Sequence, residues 1–330
     1  MKFSEIIGQE HLKEHLSGAI ERQKVSHAYI ISGEPGSGKK TLAEAFAANL
    51  LCQNRHGDAC GQCTSCHKLM HHNHPDLIYV THEKTQITVD DIRRQVAGDV
   101  EIRPYESERK IYLIDEAEKM NREAQNALLK TIEEPPDYAV LILLTANTGS
   151  LLPTILSRCI TLNICPLTDE QIIRELKIRC GLTEEEAEVY ASFAQGNLGR
   201  ALKAASDPEF RRRRNHAVGL LQNLSGAPMY ELIEQARALV KEADEDGTLD
   251  EYLDLFVLWY RDVLLYKATA DESLLGFSDV SYLVRRSAGD VSYSGLNTIF
   301  QAISSARDAI SSNVREDLVI EQLFTVIKES

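Results

Sequence analysis

The sequence has no surplus of positive charge. Its 330 residues carry 36 lysines and arginines against 50 aspartates and glutamates, a formal net charge of −14. Bulk attraction to a phosphate backbone is therefore disfavoured, which leaves a local basic strip as the way to nucleic acid. Long apolar runs are missing as well: no stretch approaches the roughly 20 residues of a membrane span. The first residues show neither the charged head nor the continuous apolar run of an export signal. The expectation is a cytoplasmic chain in a reducing compartment, whose seven cysteines are metal ligands or buried thiols rather than disulfides. Internal repeats and low-complexity tracts are absent. What is left, 43% hydrophobic and 26% charged, is ordinary globular composition with length for two or three domains.

A further gap lies inside a motif. Residues 33–41 read Gly-Glu-Pro-Gly-Ser-Gly-Lys-Lys-Thr, a phosphate-binding loop that follows an apolar run (Ala28 to Ile31) and opens an amphipathic helix (Leu42 to Leu51). Gly33, Gly36 and Gly38 supply the permissive backbone that turns successive N–H groups toward a phosphate. Lys39 stands where a lysine reaches the terminal phosphates. The next position calls for a hydroxyl that ligates magnesium, and here it is Lys40. Thr41 comes one residue late, about 100° further round the helix, so its hydroxyl is expected to miss the metal.

The first 165 residues alternate strand and helix. Short β-rich apolar runs at Ala28–Ser32, Leu77–Val80, Lys110–Ile114, Val140–Thr145 and Cys159–Ile164 suit a parallel sheet with helices on both faces. Asn121 is placed to cap a helix carrying Ala124, Leu128 and Ile132 on one face, and Pro135-Pro136 ends it. After Pro166 the pattern is helical, with short segments at Asp169–Cys180, Glu184–Gln195 and Leu198–Ala205. From about Asp207 it stays helical, with wide apolar stripes such as Leu249, Tyr252, Leu253, Phe256 and Tyr260. Boundaries are expected near 165 and 207.

Two constellations carry chemistry. Lys110-Ile-Tyr-Leu-Ile-Asp115-Glu116 is an apolar strand ending in an acidic pair. A solvated acidic turn is the bland reading, which the phosphate loop upstream disfavours. Cysteines 52, 60, 63 and 66 form C-x7-C-x2-C-x2-C, four thiolates suited to closed, tetrahedral zinc. An iron–sulfur cluster wants a fourth cysteine before a proline, where Met70 stands; unliganded thiols are the third reading. His67, His71, His72 and His74 read as a polar surface run able to substitute for one sulfur. Cys159, Cys165 and Cys180 lack ligand spacing and read as buried thiols. Arg211–Arg214 is the strongest basic run, read as a solvated hinge face rather than a DNA contact.

The segments "VSHAYIISGEPGSGKKTLAEAFA", "KIYLIDEAEKMNREAQNALLKTIEEPP" and "LLPTILSRC" together resemble the bacterial DNA polymerase III clamp-loader family, of the AAA+ class. The resemblance covers residues 1 to roughly 205; beyond that, only helical character continues it. It implies an α/β AAA+ P-loop domain over residues 1–165 with an inserted four-cysteine zinc module (52–66). A small helical lid (166–206) and an all-α C-terminal oligomerisation collar (207–330) follow. In active members the aspartate matching Asp115 helps hold magnesium, and the glutamate matching Glu116 polarises the attacking water. The cysteine spacing also belongs to the family.

Two departures separate this chain from the family's motor subunits. Lys40 replaces the loop hydroxyl, and Gly199 in the lid segment Gly196–Leu202 falls where the motors align a nucleotide-touching arginine. Both point to the subunit type whose own site is degenerate and which donates an arginine to its neighbour. Arg158 of the Ser157-Arg158-Cys159 triplet is then the residue expected to act in trans. A surface ion pair is the alternative for a lone arginine. The implied cofactors are structural zinc, with ATP and magnesium left open at the chain's own loop. The implied partners are the motor subunits and a delta-type subunit, with the sliding clamp and primer-template DNA reached through the complex and no membrane. An ATP-hydrolysing motor is the competing reading, favoured by Asp115 and Glu116. A free-standing zinc-dependent DNA-binding protein is disfavoured by the negative charge.

Overall fold

The computed structural model describes residues 1–81, 85–224 and 226–330, with side chains for all of these except 244–246. Helix α1 (Glu10–Glu21) precedes β1 (Ala28–Ser32), α2 (Lys39–Leu51), α3 (Thr64–Met70) and β2 (Leu77–Val80). The single turn α4 (Val89–Ile92) continues as a π-helical turn over Arg93–Ala97, and β3 (Lys110–Ile114) follows. Next come α5 (Arg122–Glu133), β4 (Ala139–Thr145), α6 (Pro153–Leu156) and β5 (Ile160–Asn163). The remainder is helical: α7 (Asp169–Cys180), α8 (Glu184–Ala194), α9 (Leu198–Ser206), α10 (Phe210–Leu224), α11 (Met229–Asp246), α12 (Leu249–Thr269), α13 (Ser281–Asp290), α14 (Tyr293–Ser311) and α15 (Glu316–Glu329). None of these helices is long and apolar enough to cross a membrane.

Among the described residues, five strands form one parallel sheet in the order β2-β3-β4-β1-β5. The apolar runs are continuous because the central strands are buried on both faces. Alternation sends Tyr29, Ile31, Leu113, Ile142 and Leu144 to one face, with Phe46 of α2 and Leu69 of α3. Ala28, Ile30, Tyr112, Ile114 and Leu143 go to the other, with Leu128 and Ile132 of α5. The expected strands are all present, two with shifted ends: β4 begins at Ala139, and β5 is shorter, with only Leu162 buried. Asn121 caps α5 as its position suggests, accepting from Ala124 N–H at 2.8 Å. In this topology β4 alone separates β1 from β3, so the loops leaving their carboxyl ends meet at one edge. That edge is where open α/β sheets bind ligands.

The chain divides into two compact units, one comprising Met1–Gln171 with Gly196–Arg200, the other Ile172–Gln195 with Ala201–Ser330. The second unit is built round α12, which buries residues on several faces, including Tyr252, Phe256, Trp259 and Val263. Tyr190 and Phe193 pack on Phe210 with ring centroids at 5.5 and 4.7 Å, and Trp259 meets Phe277 edge-on at 5.3 Å.

Candidate functional site

β1 delivers the chain to the phosphate loop, and Gly33 N–H donates to Thr145 O of β4 at 3.1 Å. Gly36 and Gly38 take φ of 82° and 94°, a region that costs a Cβ-bearing residue and suits glycine. Gly38 thereby starts α2. Lys39 Nζ turns back to donate to the carbonyls of Gly33 at 2.7 Å and Glu34 at 2.8 Å. Burial pulls its pKa down, against the opposing fields of Glu118 and Asp115.

A cavity of about 390 Å³ opens between this loop and the end of β3, lined by Gly36, Gly38, Lys39, Lys40, Thr41, Asp115 and Glu116 among others. The structure therefore brings together all the expected nucleotide-site residues except Gly33, which braces the loop from behind. Thr41 lines the same space despite its offset. Lys40 Nζ lies 3.5 Å from Asp115 Oδ2, so an ammonium stands beside the aspartate that follows β3. Glu116, with φ of 50°, donates its N–H to Asp115 Oδ1 at 3.0 Å, and its carboxylate pairs with Lys119 at 2.7 Å.

Gly199 is absent from the cavity lining and has a role of its own. Its N–H donates to Gly36 O at 3.1 Å, while Asn197 Nδ2 donates to Pro35 O at 2.8 Å. A Cβ placed at 199 would lie 2.5 Å from Gly36 O and 2.8 Å from Gly36 Cα. Any side chain here, an arginine included, would push the phosphate loop away.

Arg158 lies outside that cavity, between α6 and β5. Nη1 donates to Thr154 O at 3.0 Å and to Ser157 Oγ at 3.2 Å, and Nη2 pairs with Glu133 Oε1 at 3.0 Å. Its side chain is 39% exposed. It is held in place and still reaches solvent.

The four cysteines 52, 60, 63 and 66 converge with every sulfur within 4.8 Å of the others. Cys52 to Cys63 is 4.0 Å and Cys60 to Cys66 is 3.9 Å. A tetrahedron of sulfurs about 2.3 Å from zinc has edges of about 3.8 Å, so the donor set fits that ion. Backbone N–H groups of Gln62 and Cys63 point at Cys60 Sγ and bring its thiol down to about 6, which favours the thiolate that a metal needs.

Three expectations need correction. His74 is not part of a polar surface run: it is 4% exposed. Its Nδ1 accepts from Asp76 N–H at 3.1 Å, which leaves the proton on Nε2, 2.9 Å from Ser65 Oγ; Ser65 in turn donates to Leu51 O at 2.7 Å. His67, His71 and His72 are exposed as expected. Cys165 and Cys180 are exposed rather than buried, since one follows the edge strand and the other ends a helix; Cys159 is half-buried, and burial pushes its thiol up to about 11. Arg211–Arg214 is not a solvated face throughout. Arg213 is 3% exposed, paired with Asp207 and, at 2.8 Å, with Glu251. Arg214 is buried on Asp279 and stacks 4.5 Å above Phe277, while Arg211 pairs with Glu186 and Arg212 with Glu209 and Glu242.

Comparison with known proteins gives consistent matches. The family model described as "DNA polymerase III, delta subunit" matches residues 8–168, and that described as "DNA polymerase III, delta subunit, C terminal" matches residues 214–329. The chain is 33% identical to DNA polymerase III subunit delta' of Pseudomonas aeruginosa, over 84% of this chain and 82% of that protein. It is 28% identical to the Bacillus subtilis subunit delta', over 97% and 96%. It is also 35% identical to Escherichia coli subunit tau, over 61% of this chain and 32% of the relative. Among solved structures, a gamma subunit-related protein from Thermotoga maritima is 19% identical over 96% of this chain and 98% of its own, with a TM-score of 0.47.

Proposed function

The chain belongs to the DNA polymerase III delta-prime subunit family, and on that premise we propose that it is a non-catalytic clamp-loader subunit. It assembles with ATPase motor subunits and a delta-type subunit. It then presents Arg158 to a neighbour's ATP while the complex loads a sliding clamp onto primer-template DNA. The observation that carries this reading is Lys40: a cation beside Asp115 where hydrolysis would need a hydroxyl and magnesium. Gly199 supports it, because the contact with Gly36 leaves no room for a nucleotide-touching arginine. Arg158 is suited to act in trans by being outside its own cavity, partly exposed, and tethered by Glu133. Its planar, permanently charged fork matches phosphoryl oxygens.

Cys52, Cys60, Cys63 and Cys66 would hold zinc, which supplies cross-linking rather than reaction chemistry. They tie the end of α2 to α3 beside the sheet. Residues 1–165, 166–206 and 207–330 would serve as P-loop domain, lid and collar. A second reading, a gamma/tau-type motor, draws on Asp115 and Glu116 and on the similarity to tau subunits.

Purified chain incubated with ATP and magnesium separates the two. The assembly reading expects negligible turnover alone and co-purification with motor subunits. Turnover at the rate of a working motor, abolished by Lys39→Ala, would establish the motor reading instead.

A further inference from the structure

The cation that Asp115 holds belongs to the chain itself. Lys40 Nζ stands 3.5 Å from Asp115 Oδ2 and 5.8 Å from the ring centroid of Tyr79. The Tyr79 hydroxyl donates to Glu44 Oε1 at 3.2 Å, one turn along α2 from Lys40. The ammonium is thus seated between a carboxylate and an aromatic ring. The lysines round the cavity each meet a carboxylate of the protein. Lys40 faces Asp115, Lys119 holds Glu116 at 2.7 Å, and Lys39 lies in the field of Glu118. A divalent ion entering here would have to displace Lys40 from Asp115, and it would find no hydroxyl at position 40 to fill its octahedral shell.

The anion-binding half of the site is intact by contrast. Gly36 and Gly38 hold the positive φ that turns loop N–H groups inward, α2 begins at the cavity, and Lys39 already sits within the loop. Among the described residues, none that lines the cavity is aromatic or offers a surface on which a base would stack. What the loop offers is recognition of a phosphate chain, by its inward-turned N–H groups and two lysines beside the carboxylates of Asp115, Glu116 and Glu118.

We propose that this cavity is a metal-independent site for an oligophosphate chain, with Lys40 supplying the positive charge that a divalent cation supplies in hydrolysing sites. On binding, Lys39 leaves the carbonyls of Gly33 and Glu34, Lys40 leans from Asp115, and both ammoniums meet phosphate oxygens in charge-assisted hydrogen bonds. Inorganic pyrophosphate and the diphosphate tail of ADP present the same groups. The proposal does not depend on the assembly role, which co-purification with motor subunits reads separately.

Calorimetric titration of the full chain tests it, in buffer free of magnesium and free of added chelator so that the four-cysteine centre is undisturbed. Pyrophosphate and ADP are the probes, each with and without magnesium. The expected result is saturable binding of pyrophosphate with Kd of about 1 mM or tighter, of ADP within a few-fold of it, and no tightening on adding magnesium. Lys40→Met should weaken both about tenfold or more. Lys40→Thr should bind only once magnesium is present. Lys40 is half exposed, so both variants should melt like the parent. Absence of binding, binding by the parent that needs magnesium, or unchanged affinity in Lys40→Met overturns the proposal. ADP binding without pyrophosphate binding would place recognition in the nucleoside and overturn it equally.

Discussion

Gly199 shows how much rests on one missing side chain. In the sequence it reads as the loss of an arginine; in the fold it is a contact point, with its N–H on Gly36 O and no space for a Cβ. Gly199→Ala should therefore destabilise the chain by about 1–3 kcal/mol, measured by urea unfolding. Lys40→Thr combined with Gly199→Arg should leave the isolated chain without motor-level ATP turnover, because the added side chain displaces the loop it was meant to complete. Unchanged stability in Gly199→Ala would mean the loop gives way freely. Asp58 offers a titrating counterpart. Burial raises its pKa, but N–H groups of Phe3, Ser4 and Ala59 and the Asn49 amide more than offset this, leaving it at about 2. With the folded pKa below the unfolded value of about 3.9, its contribution is full above that value and is lost as pH falls through 2. Asp58→Asn should flatten the acid limb of the stability–pH curve in that window. A curve parallel to the parent's would show that Asp58 carries none of the acid sensitivity.

At the scale of elements, the sheet was readable from sequence and the contacts between distant segments were not. Central strands buried on both faces leave continuous apolar runs, so β1 and β3 are found residue for residue; of the two edge strands, β2 also matches its run while the exposed β5 is shorter than its run suggested. The four-cysteine cluster was legible because its ligands are close in sequence. His74 was not: its burial comes from Ser65 on one side and Asp76 on the other, and neighbouring histidines disguise it. A buried histidine with a single tautomer demanded by its partners has no local signature. The burial of Arg213 and Arg214 has no local signature either, since their acids lie as far away as Glu251 and Asp279. The cysteine centre also yields an expectation at this scale. Elemental analysis should find about one zinc per chain, and Cys63→Ser should release it. The sheet has a large core of its own, so far-ultraviolet circular dichroism should change little. Iron, or no metal in anaerobically prepared protein, would refute the assignment.

At the scale of the whole molecule, the chain keeps a P-loop α/β fold and, in the function proposed for it, does without hydrolysis. Cations of its own stand at the loop, Gly199 abuts Gly36 with no room for a side chain, and a tethered guanidinium reaches solvent. In that proposed function its net charge of −14 disfavours bulk attraction to DNA, which would be reached through the complex. The most direct test is Arg158→Ala in a reconstituted clamp loader, read by DNA-stimulated ATP hydrolysis and clamp loading. Such arginines contribute on the order of 10³–10⁵ at the site they serve. The expected result is normal assembly, a partial fall in total hydrolysis because other ATP sites continue, slowed clamp loading, and poor rescue by Arg158→Lys. A mutant complex that assembles, hydrolyses and loads at the parent rate would contradict the trans-acting role and leave Arg158 a surface partner of Glu133.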